Sequence, residues 1–167
     1  MEKLLLACEK QGVVPTRFIL VVSVADQTLS LFEEGRLVKT FPCSTSRFGV
    51  GQTEGSNCTP LGLHRIVEKI GDGEPAGAVF KARQVIGHTK GSSCDASSQK
   101  GDSSAPAAGS GAATGASLPS VELADAKITT RILWLEGLEP GFNRGGNVDS
   151  HARYIYIHGT GDRKSVV

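Results

Sequence analysis

Near its C-terminus the chain reads Tyr154-Ile155-Tyr156-Ile157-His158-Gly159-Thr160-Gly161-Asp162. Apolar residues alternate there and deliver a histidine into a glycine-rich turn, the pattern of a half-buried strand ending at a site. An imidazole so placed can take or give a proton near neutral pH. Histidines in that role commonly serve a nucleophile, which turns attention to the four cysteines, Cys8, Cys43, Cys58 and Cys94. None forms a Cys-x-x-Cys pair, so a zinc ribbon or a dithiol redox motif is excluded. Their irregular spacing reads as isolated reduced or buried thiols. Cys43 closes an apolar run, Cys58 precedes Thr59-Pro60, and Cys94 lies in a low-complexity stretch. None is followed by His-Gly, and none is expected to be a preorganised nucleophile for His158.

The remaining polar candidates read more blandly. His64 should face solvent or pack on a strand. His88 and His151 fall in or beside loops, and no clustered ligand set suggests a metal. Asp162 could orient His158, although a solvated turn aspartate is its default. Arg47, Arg144 and Arg153 could meet a substrate carboxylate, with solvation again the default. The glycine-rich runs at 109–115 and 141–146 do not open a helix after a strand, so nucleotide binding is not read and no cofactor is expected.

The elements that must position His158 are short strands. Residues 2–11 carry Leu4, Leu5, Leu6 and Cys8 among charges and predict one short helix ended by Gly12. Residues 17–24, 28–32 and 36–43 predict three strands, joined by turns at Asp26-Gln27 and Glu34-Gly35, in an antiparallel meander. Residues 44–58 predict an irregular loop. Further strands are expected at 63–70, 79–86, 127–136 and 153–157. The segment from about 88 to 120 turns to Gly, Ser, Ala, Thr and Pro, and is expected to be a flexible insertion within one domain. Residues 1–16 would then be a helical extension, and 17–167 the domain. The fold class is mainly β, a sandwich or barrel-like assembly with short helices and a long flexible insertion.

A chain of 167 residues suits one such domain. Its formal net charge of +1 and its scattered basic residues imply neither nucleic acid nor a charged membrane surface as partner. The apolar run Leu4–Cys8 is too short for a signal peptide core or for a membrane span, so no export signal is visible.

Four segments, taken in order, resemble the L,D-transpeptidase catalytic domain, also called the YkuD domain. They are Asp26-Gln27-Thr28-Leu29-Ser30-Leu31-Phe32, Phe41-Pro42-Cys43-Ser44-Thr45-Ser46, Thr59-Pro60-Leu61-Gly62-Leu63-His64-Arg65-Ile66 and Tyr156-Ile157-His158-Gly159-Thr160. The resemblance implies an L,D-transpeptidase-like β-sandwich or barrel that acts on peptidoglycan stem peptides at the cell envelope or periplasm, in cell-wall cross-linking. It implies acyl transfer through a cysteine thioester: the thiolate attacks a stem tetrapeptide carbonyl, D-alanine leaves, and an amine accepts the acyl group. His158 takes the first position of the family motif, as a catalytic residue on the acceptor and substrate side, with Gly159, Thr160 and Arg153 at the substrate. The family's Ser/Thr-His-Gly-Cys segment, whose histidine would activate the cysteine, does not occur in the sequence, and only nine residues follow His158. The expectation is therefore a C-terminally incomplete and inactive transpeptidase domain, with a catalytically dead peptidoglycan-binding homologue as the alternative.

Overall fold

The computed structural model describes residues 2–89, 120–121, 128–160 and 165–166. Helix α1 (Glu2–Lys10) is followed by β1 (Phe18–Ser23), β2 (Thr28–Glu33) and β3 (Arg36–Ser44). These three strands pair antiparallel in sequence order, as the meander expected from their alternation. Glu34 and Gly35 both have positive φ, 48° and 80°. That is the mirror-image turn whose twist matches two hairpin strands.

The second half is built on β8 (Thr129–Gly137), which carries Ile132 at 0% exposure. β4 (His64–Ile70) pairs along one edge of β8, and β9 (Tyr156–Gly159) along the other. β5 (Ala78–Lys81) meets β8 at Val79–Thr129 and forms a hairpin with β6 (Gln84–Thr89). The two-residue strand β7 (Ser120–Val121) runs parallel to β6. β10 (Ser165–Val166) lies between β9 and β3, antiparallel to the first and parallel to the second, and joins the halves. The path β1-β2-β3-β10-β9-β8-β5-β6-β7 ends in β1 and β7, so among the described residues no open sheet edge lies beside β9.

Alternation along the strands divides the apolar side chains between two cores. One gathers Leu29, Cys43, Leu135 and Ile157, and the other Ala78, Phe80 and Ile132. Ile157 enters the first core while its neighbour Tyr156 packs on the second, so His158 shares the face of Tyr156.

Three expectations need correction. Residues 79–86 are two strands rather than one, because Ala82 and Arg83 take φ of 49° and 67° and close a tight hairpin. Neither is the glycine, asparagine or aspartate that announces such a turn. The last expected strand moves from 153–157 to Tyr156–Gly159, because residues 151–154 form a turn with Tyr154 at φ 58°. His88, Thr89 and Ser120, at the rims of the expected insertion, belong to strands. The rest of that insertion, with Cys94, and Asp162 lie outside the described residues.

Candidate active site

β9 supplies the first wall of the site. His158 is half-buried, and its Nδ1 lies 2.9 Å from the carbonyl oxygen of Gly159. A carbonyl only accepts, so this contact fixes the proton on Nδ1 and makes Nε2 the basic nitrogen. No described residue bonds Nε2. Burial holds the His158 pKa below its usual value, against the opposing pull of the Gly159 carbonyl. The imidazole is thus neutral and ready to accept a proton at neutral pH. The glycine after it is required by close approach. A Cβ on Gly159 would press on the Oγ1 and carbonyl oxygen of Thr129, where the β8–β9 register shifts.

The loop at 46–60 forms the opposite wall and is folded on itself. Thr59 Oγ1 accepts from the Ser46 amide at 2.9 Å, and the Gly51 amide donates to Thr59 O at 3.0 Å. Arg153 straps this loop to the approach to β9. Its guanidinium donates to the carbonyls of Cys58 (2.9 Å) and Gly51 (3.3 Å). Between the walls is a cavity of about 430 Å³ lined by residues that include Ser46, Cys58, Arg153, Tyr154, Tyr156 and His158.

Behind the cavity, segment 59–63 is held by the long loop 137–150. Asn143, at 0% exposure, donates through Nδ2 to Leu61 O and Leu63 O, both at 3.0 Å, and accepts from the Glu139 amide at 2.9 Å. Glu139 in turn accepts from the Leu63 amide at 2.8 Å. Sequence reasoning missed this hub, because Glu139-Pro140-Gly141-Phe142-Asn143 reads as an ordinary polar loop.

Of the two placements expected for His64, solvent-facing or packed on a strand, it takes the second, half-buried at the start of β4. Its Nδ1 faces Gly62 O at 3.0 Å and its Nε2 faces the fully buried Ser150 Oγ at 2.8 Å. The carbonyl takes the Nδ1 proton, so Ser150 donates to Nε2. Burial first, and the Arg153 charge last, keep the His64 pKa low against the opposing Gly62 carbonyl and Glu139.

These two histidines give a pH dependence with a definite sign. Each has a folded pKa below the usual 6.5. Unfolding therefore takes up protons below about pH 6.5. Their stabilisation is complete above that pH and is lost as the pH falls toward the depressed folded values. The melting temperature should drop between about pH 7 and pH 5, and His64→Gln should flatten that slope. A melting temperature unchanged over this interval would show that neither ring is held neutral.

Of the described arginines, Arg153 alone lines the cavity. Arg47 lies 4.8 Å over the Phe48 ring, and Arg144 pairs with Glu136 at 3.8 Å. Gly159 ends β9 and Thr160 follows it, both outside the lining. Cys58, set aside on sequence grounds, does stand in the wall with His158. Its Sγ, however, lies 3.3 Å from Phe48 O and 3.5 Å from Ser56 O. Two carbonyl dipoles turn their negative ends toward this sulfur, the reverse of what an attacking thiolate needs. Cys43 is buried, and that burial pushes its thiol pKa up. Among the described residues no group of three or more His, Cys, Asp or Glu could hold a metal ion, and no helix is long and apolar enough to cross a membrane.

No curated protein and no solved structure matches the chain significantly. The family model of YkuD, the L,D-transpeptidase catalytic domain, matches residues 17–166 and so takes in every strand and both walls of the cavity. That family acts on peptidoglycan and is usually associated with the cell envelope. A mainly β domain that ends a strand in Ile157-His158-Gly159, with Arg153 strapping the facing loop, belongs to the L,D-transpeptidase catalytic domain family.

Proposed function

We propose that the cavity takes a peptidoglycan stem tetrapeptide and that His158 is the proton acceptor of the acyl transfer. The observation that carries this reading is the Nδ1 contact to Gly159 O, which leaves Nε2 as the basic nitrogen of a residue lining the cavity. The base is thus His158 itself, rather than the histidine beside the cysteine. Nε2 takes the thiol proton, and the sulfur bonds to the carbonyl carbon before D-alanine. The C–N bond breaks, and the imidazolium returns the proton to the leaving amine. A second amine then attacks the thioester, frees the thiol, and completes the cross-link. Arg153 holds the wall that the peptide meets, and its unused N–H donors suit the D-alanine carboxylate.

The nucleophile of that reaction is a cysteine in a Ser/Thr-His-Gly-Cys context, which the 167-residue sequence does not contain. The chain by itself therefore binds stem peptide without turning it over. The envelope, on the outer side of the cytoplasmic membrane, is where such a ligand is met. Binding is tested by titrating a stem tetrapeptide into the purified chain while following the His158 ring proton resonances. A saturable shift that disappears in Arg153→Ala supports the reading. Silent His158 resonances at millimolar peptide would sink it.

A further inference from the structure

Beside the cavity lies an aromatic cluster that the acyl-transfer chemistry does not use. Trp134 of β8 stacks on His151, with ring centroids 4.2 Å apart and planes at 9°. Its indole N–H donates to His151 O at 3.2 Å, which fixes the stack. Tyr154 lies 5.8 Å from Trp134 at 28°, and Tyr156 meets it edge-on at 5.5 Å. Above them the Arg83 guanidinium sits 4.7 Å from the Trp134 centroid and 5.3 Å from that of Tyr154. Three separate parts of the chain converge here: the β5–β6 turn, the middle of β8, and the turn before β9.

Three features argue that this face is used. Arg83 is exposed and Tyr154 is 58% exposed, so the side chains are offered to solvent rather than consumed in a core. Both also stand at left-handed backbone positions, with φ of 67° and 58°. Glycine or asparagine would be relaxed there, and a bulky side chain is strained. The face is also continuous with the cavity, because Tyr154 and Tyr156 line both.

We infer that this Trp134–Tyr154–Arg83 face binds the amino-sugar strand of peptidoglycan, next to the cavity that holds the stem. The inference rests on the reading of that cavity as a stem-peptide site. A stem is covalently attached to its sugar, so a surface that takes the peptide must have a pyranose close by. The C–H bonds on a pyranose face carry partial positive charge and suit the negative face of an aromatic ring. The fan of N–H donors on Arg83 suits hydroxyl and acetamido oxygens. A nucleobase would also stack, but with a net charge of +1 and basic side chains scattered along it the chain offers little to a phosphate backbone.

The chain contains one tryptophan, so its fluorescence reports on this face alone. A soluble N-acetylglucosamine tetramer is titrated against the purified chain, and a sugar-free stem tetrapeptide is titrated separately by the His158 resonances. The tetramer should change Trp134 fluorescence saturably. Tyr154→Gly and Arg83→Gly should each weaken it about fivefold. Both variants relieve a left-handed backbone, so they keep the fold. Arg83→Gly lies away from the cavity lining and should leave tetrapeptide binding unchanged. Absence of any tetramer response overturns the inference, as does a response that both variants retain in full. Loss of tetrapeptide binding with the tetramer response intact would instead overturn the stem-peptide reading and leave a sugar site standing.

Discussion

A chain extended with a family-type segment carrying Ser/Thr-His-Gly-Cys is expected to release D-alanine from a stem tetrapeptide. In the extended chain, His158→Ala should lower kcat/KM by about 10²–10⁴-fold, the usual contribution of a positioned general base. The expectation follows from the tautomer. Gly159 O holds the Nδ1 proton, burial keeps the ring neutral, and Nε2 is the nitrogen left to take a thiol proton. The depressed pKa adds that the activity should persist to somewhat lower pH than an ordinary histidine base allows. Turnover by the 167-residue chain itself would be the most informative contrary result. Cys58 is then the thiol to replace by serine, because it is the cysteine in the cavity wall. Equal rates with and without H158A in the extended chain would show that the proton goes elsewhere.

Asn143→Leu should be the most destabilising single substitution near the site. The side chain is fully buried, and its removal strands the amide of Glu139 and takes one of two donors from each of the carbonyls of Leu61 and Leu63, which keep Gln52 Nε2 and the Leu138 amide. A stranded buried polar group costs about 1–3 kcal/mol and two weakened carbonyls add to it, so a loss of about 2–4 kcal/mol is expected. For a domain of this size the melting temperature should fall by roughly 10 °C. Gly137→Ala should act on the same hub, because a Cβ there would run into the carbonyl and side-chain oxygens of Asn143, and the backbone cannot easily withdraw. Asn147→Ala is the control, since that side chain is exposed. Urea midpoints for the three variants decide the matter. Equal midpoints for Asn143→Leu and Asn147→Ala would show that the loop 137–150 is not braced as described.

Strands whose side chains alternate and whose turns carry the usual residues were readable from residue order alone. β2 and β3 were legible because burial on one face imposes a period of two, and β1 because a run of β-branched residues favours a strand. His158 was legible for the same reason, since Ile155, Ile157 and the glycine that follows announce a strand delivered into a site. The family was legible because four short segments keep their order along the chain. Tertiary structure decided what depends on backbone conformations that the residue types do not announce. Ala82, Arg83 and Tyr154 turn the chain left-handed, and so split one expected strand and delay another. It also decided every contact made across long stretches of chain. Arg153 could have been any solvated arginine until its guanidinium met the carbonyls of Gly51 and Cys58, and His64 any strand histidine until Ser150 came against it. Asn143 looked like a loop residue until burial set its side chain against three backbone groups from two segments. A periodic pattern records which face is apolar, a local property. Which polar groups must satisfy one another is settled only when packing has removed the solvent.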